Sequence, residues 1–450
     1  MRNMNNIMAL CFRIRYEVFC VCLLLSIYSL SQAAEQPGTD APIHLGVATC
    51  AGSNCHGANA PVKDSPVLQD EFLTWYRKDK HSKAYKVLLD DESKRIAQNL
   101  GLEAAHTADM CLDCHADNVP VSQRGKRFQI SDGVGCEVCH NGAEPWLGLH
   151  VTGISTHNEM ITAGLSPLEN PQARAELCLS CHLGNKNREI THKIMAAGHP
   201  RLSFELDTFT IIEPAHFVID ADYRKRKEVW NGVEIWAIGQ MQGAMQLLES
   251  LSNPKHFGQG LMPELVFFDC HSCHHPMSQL RWAPRKTTGL DAGVLRLNDS
   301  NLLMLIYIAK VIDPALSDQF SSDILALHKG MNQSHEVALN AIKGLKASIN
   351  TLRKQITRNR FSRNDLMILI KSILGDIIAG ELRDYAAAEQ AAMALDSSFS
   401  TLTQQGALES TNMKNIQKNM DHIYLTLKDE DKYKPSAFID AAKSLAQSLK

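Results

Sequence analysis

The last third of the chain alternates apolar and polar positions with the period of an α-helix. From Asp299 onward, apolar side chains recur at spacings of three and four residues, which place them on one face of each helix. These runs are Leu302, Leu305, Ile306 and Ala309; Val337, Ala341, Leu345 and Ile349; and Leu366, Ile370, Ile373 and Ile377. Similar stretches cover residues 385–395, 416–427 and 435–449. The pattern predicts an all-α bundle of five or six antiparallel helices over residues 287–450.

The segment before residue 287 has a different pattern. It contains all five tryptophans and most of the prolines, and Gly, Pro and Asn interrupt its apolar runs. One longer amphipathic helix is expected at about residues 228–251, around Trp230 and Trp236. Such a segment cannot bury a large side-chain core of its own. We therefore predict a mainly α protein in which an irregular segment with little regular secondary structure, residues 34–286, precedes the helical bundle.

Residues 1–33 have the organisation of a secretory signal peptide. Three arginines precede an apolar run from Val18 to Leu30, and Ser31-Gln32-Ala33 supplies small residues for a signal peptidase. An uncleaved anchor is the alternative, although an apolar run this short is a poor membrane span. We expect cleavage, export as a soluble protein and no stable membrane span afterwards.

Cysteine and histidine repeat together before residue 275. Of the 13 cysteines, three lie in the first thirty residues, and the others form five copies of a pattern in which two cysteines precede a histidine. The copies are Cys50, Cys55 and His56; Cys111, Cys114 and His115; Cys136, Cys139 and His140; Cys178, Cys181 and His182; and Cys270, Cys273 and His274. Four copies have the Cys-x-x-Cys-His spacing of covalently attached c-type haem. The first has a longer spacer, which is a known variant of this attachment.

Two other uses of paired cysteines fit this pattern less well. A zinc ribbon does not need a histidine directly after the second cysteine in every copy. A thioredoxin-like pair would occur once, inside a βαβ pattern that is absent here. We therefore predict five covalent haems c, held by the ten cysteines and ligated on the proximal side by the five adjacent histidines. The porphyrins would form much of the core of this segment. Bacterial c-type haem is attached outside the cytoplasmic membrane, so the predicted localisation is the periplasm.

The sixth ligand of each iron decides what such a protein can do. Eleven further histidines lie before residue 287, whereas five would complete bis-histidine coordination. They are His44, His81, His106, His150, His157, His192, His199, His216, His256, His271 and His275. Several of them are expected to be distal ligands. In the predicted bundle, His328, His335 and His422 have no cysteine nearby, and we expect surface or capping roles for them.

Part of the chain resembles the multihaem cytochromes of the cytochrome c-554/c-prime type, which include the tetrahaem electron acceptor of hydroxylamine oxidoreductase. The resemblance covers about residues 44–200. It is carried by Gly135-Cys136-Glu137-Val138-Cys139-His140-Asn141-Gly142 with Trp146 and His150, and by Trp75 followed by Lys80-His81-Ser82-Lys83-Ala84. It implies that His150 caps the haem of His56 and that His81 caps the haem of His140.

The other distal positions are less strongly indicated. By analogy with the same family, His157 is expected at the fourth haem, with His192 as the second choice. The fifth motif has no counterpart in the tetrahaem relatives, and His199, fixed between a glycine and a proline, is its expected partner. The second haem of those relatives lacks a distal protein ligand. Here His106 lies just before the second motif, as a ligand or a distal-pocket acid, and His275 could reach a neighbouring haem.

Two functions follow from these alternatives. With five closed irons, the protein would carry single electrons between redox proteins such as a dehydrogenase, a quinol oxidase or a terminal reductase. With one open iron, it would be a reductase or oxidase of a small nitrogen or sulfur compound. The carrier is favoured, because distal histidines are abundant and no motif ends in lysine as the catalytic motif of pentahaem nitrite reductases does. A net charge of −3 argues against a nucleic-acid partner.

Overall fold

The computed structural model describes most of the chain after residue 40. The described residues are 41–63, 65, 67–256, 263–274, 284–358, 360–407 and 410–449. Within them the chain forms nineteen α-helices and several short 3-10 helices, and the β contacts there are isolated bridges outside any strand. The predicted mainly α fold is confirmed. The predicted signal peptide, residues 1–33, lies outside the described residues.

The first part of the structure is built from short helices and loops. Its α-helices are α1 (Glu71–Lys78), α2 (Ala84–Val87), α3 (Asp91–Leu100), α4 (Asp109–His115), α5 (Cys136–His140), α6 (Glu144–Thr152), α7 (His157–Thr162), α8 (Pro171–His182), α9 (His192–Ala196), α10 (Leu206–Ile212) and α11 (Ala221–Arg226). Glycines with positive φ end several of them, including Gly101 after α3 and Gly153 after α6. The frequent Gly, Pro and Asn residues of this segment therefore correspond to many helix ends.

Helix α12 (Gly232–Leu251) is the long helix expected in this region. Asn231 and Glu234 form a capping box at its N-terminus, in which each side chain accepts a hydrogen bond from the backbone N–H of the other residue. Its Trp236 is fully buried. The helix packs against α8 and α10 as well as against helices of the C-terminal bundle. It therefore lies at the centre of the molecule.

The C-terminal bundle contains seven described α-helices, where the sequence predicts five or six. They are α13 (Ser300–Ile312), α14 (Pro314–Met331), α15 (His335–Gln355), α16 (Arg363–Ala379), α17 (Tyr385–Gln404), α18 (Ser410–Thr426) and α19 (Pro435–Gln447). Asp313 separates α13 from α14 in an extended conformation, and its side chain accepts from the backbone N–H of Leu316. Helix α14 is the bundle helix that none of the predicted apolar runs covers.

One large apolar core joins the bundle to α8, α10 and α12. Within the described part of the chain, a second and much smaller cluster lies beside the second cysteine motif. It consists of Leu88, Ala97, Ala105, Leu112 and Ala116. The bundle thus shares one large apolar core with α8, α10 and α12, whereas the rest of the first part has little.

A buried ionic cluster anchors the loop before α13 to the bundle. Arg285 donates to Asp299 at 2.5 Å and to Asp384 at 2.7 Å, and Arg296 donates to Asp384 at 2.5 Å. His328 lies beside this cluster, 1% exposed, and its Nδ1 is 2.9 Å from the carbonyl oxygen of Ile324. The surface or capping role expected for His328 is therefore wrong, because the side chain is enclosed by the core.

Candidate functional site

In the structure, each of the five motif histidines faces another histidine. The ring centroids are 5.8 Å apart for His56 and His150, 6.5 Å for His115 and His199, 6.4 Å for His140 and His216, 5.9 Å for His182 and His81, and 6.2 Å for His274 and His192. Most of these partners are distant in sequence. The fold therefore assembles five histidine pairs, and each pair contains one motif histidine.

The separations suit two imidazoles that share one metal ion. Rings bound from opposite sides through metal–nitrogen bonds of about 2 Å have centroids roughly 6–6.5 Å apart. All five pairs fall within or close to this range, and a covalently attached haem places its iron next to the motif histidine. The residues present therefore fit five haems c with two histidine ligands each.

Three of the motifs lie on helices. In α4, α5 and α8 the histidine is the last helical residue, and the first cysteine, the second cysteine and the histidine share one helical face. The first motif has a longer spacer and folds as a turn, in which the N–H of His56 donates to the carbonyl oxygen of Cys50 at 3.2 Å. The fifth lies on a short 3-10 helix, Cys270–Ser272.

Hydrogen bonds donated by Nδ1 fix the orientation of four of the ten paired rings. The acceptor is a carboxylate for His56 (Glu71, 2.9 Å) and for His81 (Asp79, 3.0 Å). For His115 and His199 the acceptors are the backbone carbonyl oxygens of Ala84 (3.0 Å) and Pro200 (2.8 Å). An Nδ1–H donor leaves Nε2 as the free, metal-binding nitrogen, so these contacts select the tautomer that a shared iron requires.

Burial keeps several of the rings neutral. It lowers the pKa of His140 and of His182 to about 4, with nearby His216 and His81 acting in the same direction. Burial likewise lowers the pKa values of His115 and His150. Because a neutral imidazole is the form that binds a metal, these rings are ready to ligate at neutral pH.

Residues 49–141 match the family model of cytochrome c554 and c-prime. The matched segment contains the first three motifs with their histidines, and it supports a c-type cytochrome with covalently attached haem c. No curated protein and no solved structure matches the chain. Within the described residues, no helix is both long and apolar enough to cross a membrane.

The cysteines show which motifs are neighbours. The thiols of Cys50 and Cys136 lie close together, and this proximity raises the pKa of Cys136. Cys114 and Cys181 form the same kind of contact, which lowers the pKa of Cys181 to about 6. The Sγ atom of Cys181 also lies 3.9 Å from the carbonyl oxygen of Asp113. The first motif therefore adjoins the third, and the second adjoins the fourth.

Glu137, inside the third motif, joins two of these segments. Its buried carboxylate accepts the backbone N–H groups of Leu45 and Ala143 at 2.7 Å and of Gly46 at 2.6 Å. The chain segment that leads to the first motif is thereby held against the third motif. Sequence reasoning gave this glutamate no role, and only its place between the two cysteines marks it.

A cleft of about 140 Å³ lies beside Cys270 of the fifth motif, between the cysteine-rich segment and the core helix α12. Its lining includes Cys270, Arg188, Arg201 and His256. Glu264, also in the lining, accepts the backbone N–H of His192 at 2.8 Å and so holds the start of α9 against the cleft. In this lining, Arg201 is ion-paired with Glu389 and Glu430, and Arg188 donates to Cys181.

The structure arranges the expected distal histidines as follows. His150 lies opposite His56, as the resemblance implies, whereas His81 lies opposite His182 and not His140. His199 and His192 face the second and fifth motifs, respectively.

The other candidates lie elsewhere. The Nε2 of His157 is 2.9 Å from a carboxylate oxygen of Glu169. His106 lies edge-on to Tyr85 with ring centroids 6.4 Å apart. His275 lies outside the described residues. His216, which faces His140, was not among the chosen distal ligands, and nothing in its local sequence separates it from the other spare histidines.

Proposed function

We propose that this chain is an exported pentahaem c-type cytochrome that carries single electrons between periplasmic redox partners through bis-histidine haems. Haem iron supplies reversible one-electron chemistry when it is bound. The observation that carries the proposal is the set of five histidine pairs, one for each motif. The ten motif cysteines would attach the porphyrins, and the paired histidines would bind iron from both sides.

The pairing at the second motif separates the carrier from its rival. An enzyme would need an iron with a free sixth position, and the second haem is the one that lacks a distal protein ligand in the tetrahaem relatives. Here His199 faces His115 across 6.5 Å, and its Nδ1 lies 2.8 Å from the carbonyl oxygen of Pro200. The preceding Gly198 has a φ of +123° and directs the chain into this position. These contacts support a closed second site and thus a carrier.

The contacts among motifs also favour electron transfer. Cysteines of the first and third motifs lie close together, as do those of the second and fourth. Porphyrins attached at neighbouring cysteines would lie close to one another, which is the arrangement that electron hopping requires. The protein would relay electrons and would leave bond chemistry to its partners.

Export and partners complete the proposal. Residues 1–33 would direct the chain to the periplasm and be removed there. The partners would be a dehydrogenase, a quinol oxidase or a terminal reductase, and the net charge of −3 would favour docking through positively charged regions of their surfaces.

Haem counting combined with EPR of the purified holoprotein tests this function. We expect five haems per chain by pyridine haemochrome, only low-spin ferric signals, and no change on addition of cyanide or nitric oxide. A high-spin signal that shifts with added ligand would overturn the carrier in favour of an enzyme. A count below five would overturn the pentahaem assignment.

A variant identifies the site in the same spectra. His199→Ala should convert one low-spin haem into a high-spin, cyanide-binding haem without reducing the haem count. His157→Ala serves as the matched control, because His157 pairs with Glu169, and it should leave the spectrum unchanged.

A further inference from the structure

Two carboxylates surround His81, the residue opposite the fourth motif histidine. One oxygen of Asp79, one oxygen of Glu213 and one ring nitrogen of His81 all lie within 4.8 Å of one another. Asp79 is 8% exposed, so its charge is shielded from water. Within the described part of the chain, no other pair has two carboxylates clustered against one ring in this way.

The contact between Asp79 and His81 is built into the backbone. Asp79 precedes the 3-10 helix Lys80–Lys83, and its Oδ1 accepts the backbone N–H of His81 at 2.9 Å. The same oxygen lies 3.0 Å from His81 Nδ1. One carboxylate oxygen therefore fixes both the start of the turn and the rotation of the ring.

The fourth motif occupies a junction. Its Cys181 lies 3.9 Å from the carbonyl oxygen of Asp113 in the second motif. On another side, Arg188 donates to Cys181 Sγ at 3.1 Å and also lines the cleft beside the fifth motif. A haem attached here would lie between the second and the fifth haems.

We infer that Asp79 and Glu213 lower the reduction potential of the iron held by His81 and His182, and make it the lowest of the five. This inference rests on the proposed bis-histidine function. A carboxylate that accepts the Nδ1 proton increases the basicity of the imidazole and so favours ferric iron. A second buried negative charge adds to this effect.

Other charges around His81 determine how strongly each carboxylate should affect the reduction potentials. Arg174 is half-buried near Glu213 and offsets part of its charge, so Asp79 should act more strongly than Glu213. Asp79 also faces His216 of the third pair, so a smaller shift should appear there. At the first pair, Glu71 is the single carboxylate against His56, which places that haem second lowest.

Spectroelectrochemical titration of the holoprotein, with EPR of poised samples, tests this inference. Asp79→Asn keeps the side-chain shape and an acceptor oxygen but removes the charge. We expect it to raise the potential of the lowest component and to change that haem's reduction equilibrium about tenfold, which is about 59 mV for one electron. Glu213→Gln should raise the same component by less.

Two controls locate the effect. Glu71→Gln should shift a different component, and Asp91→Asn, whose side chain is fully exposed, should shift none. Unchanged potentials in Asp79→Asn and Glu213→Gln, with five low-spin haems retained, would overturn the tuning role alone. If Asp79→Asn loses a haem, Glu213→Gln carries the test. A wild-type protein with fewer than five low-spin haems would instead overturn the proposed function.

Discussion

The two parts of this molecule bury apolar surface in different ways. Residues 41–226 form α-helices of 4 to 12 residues, whereas the bundle helices α13–α19 have 13 to 21 residues. In the large apolar core, only Ala175, Leu179, Phe204 and Leu206 come from the first part. The first part also leaves fifteen large apolar side chains exposed, against four in residues 284–449. The bundle and α12 cover one another's apolar side chains, while the first part needs another apolar partner, which five porphyrins would provide.

The largest expected effect comes from removing haem. In protein produced without haem attachment, residues 41–226 should lose protection from amide hydrogen exchange, because their apolar side chains have too few protein partners. The helices α13–α19 should remain protected. Hydrogen exchange with mass spectrometry compares the two parts in one sample. Equal protection of residues 41–226 with and without haem would contradict the contrast between the two parts.

The next largest effect should come from the buried ionic cluster of the bundle. Asp384→Ala leaves Arg285 and Arg296 buried without this partner, and should reduce the free energy of unfolding by about 3–5 kcal/mol. Urea unfolding followed by circular dichroism measures this loss. Asp440→Ala is the control, since its side chain is 71% exposed, and it should change stability by less than about 0.5 kcal/mol. A loss in Asp384→Ala no larger than in this control would show that the cluster does not hold the loop.

A comparable destabilising substitution in the first part is Glu137→Ala. It removes the acceptor of three backbone N–H groups, and we expect a loss of about 3 kcal/mol in the haem-loaded protein. Glu144→Ala, at an exposed position on α6, should be nearly neutral. Urea unfolding monitored at the haem Soret band reports on this part of the molecule. If both variants unfold at the same urea concentration, Glu137 does not join the first and third motifs.

Acid should act on the bundle through Asp384. Burial alone would raise the pKa of this carboxyl. The charges of Arg285 and Arg296 lower the pKa by more than burial raises it, so it lies below its usual value. Its contribution to stability is therefore complete above the unfolded pKa of about 3.9 and is lost as the pH falls through the lower folded pKa. Asp384→Asn should flatten the stability profile below about pH 4. An unchanged profile in this variant would assign the acid sensitivity to other groups.

The sequence predicted the local structure of both parts better than their long-range contacts. The helical period identified α12 and six of the seven bundle helices, but no predicted apolar run covered α14 (Pro314–Met331). The motif residues were visible from spacing alone, because two thiols and a histidine must lie side by side. Which histidine lies opposite each motif was not visible, since His81 and His182 are brought together only by the fold.

His216 and Glu137 show the same limit. Each is placed by contacts across the fold, and neither carries a local pattern. The family resemblance implied the position of His150 opposite His56, where the structure places it, because both lie in or next to the matched segment. It suggested His192 only as the second choice at the fourth haem, whereas His192 faces the fifth motif, which the tetrahaem relatives lack.

The most direct test of the account is a crystal structure of the holoprotein with iron located by anomalous scattering. With bis-histidine coordination at every motif, we expect five iron peaks, each between the two rings of one pair. The pairs are His56 and His150, His115 and His199, His140 and His216, His182 and His81, and His274 and His192. An iron beside an unpaired motif histidine, or between rings of different pairs, would contradict this expectation.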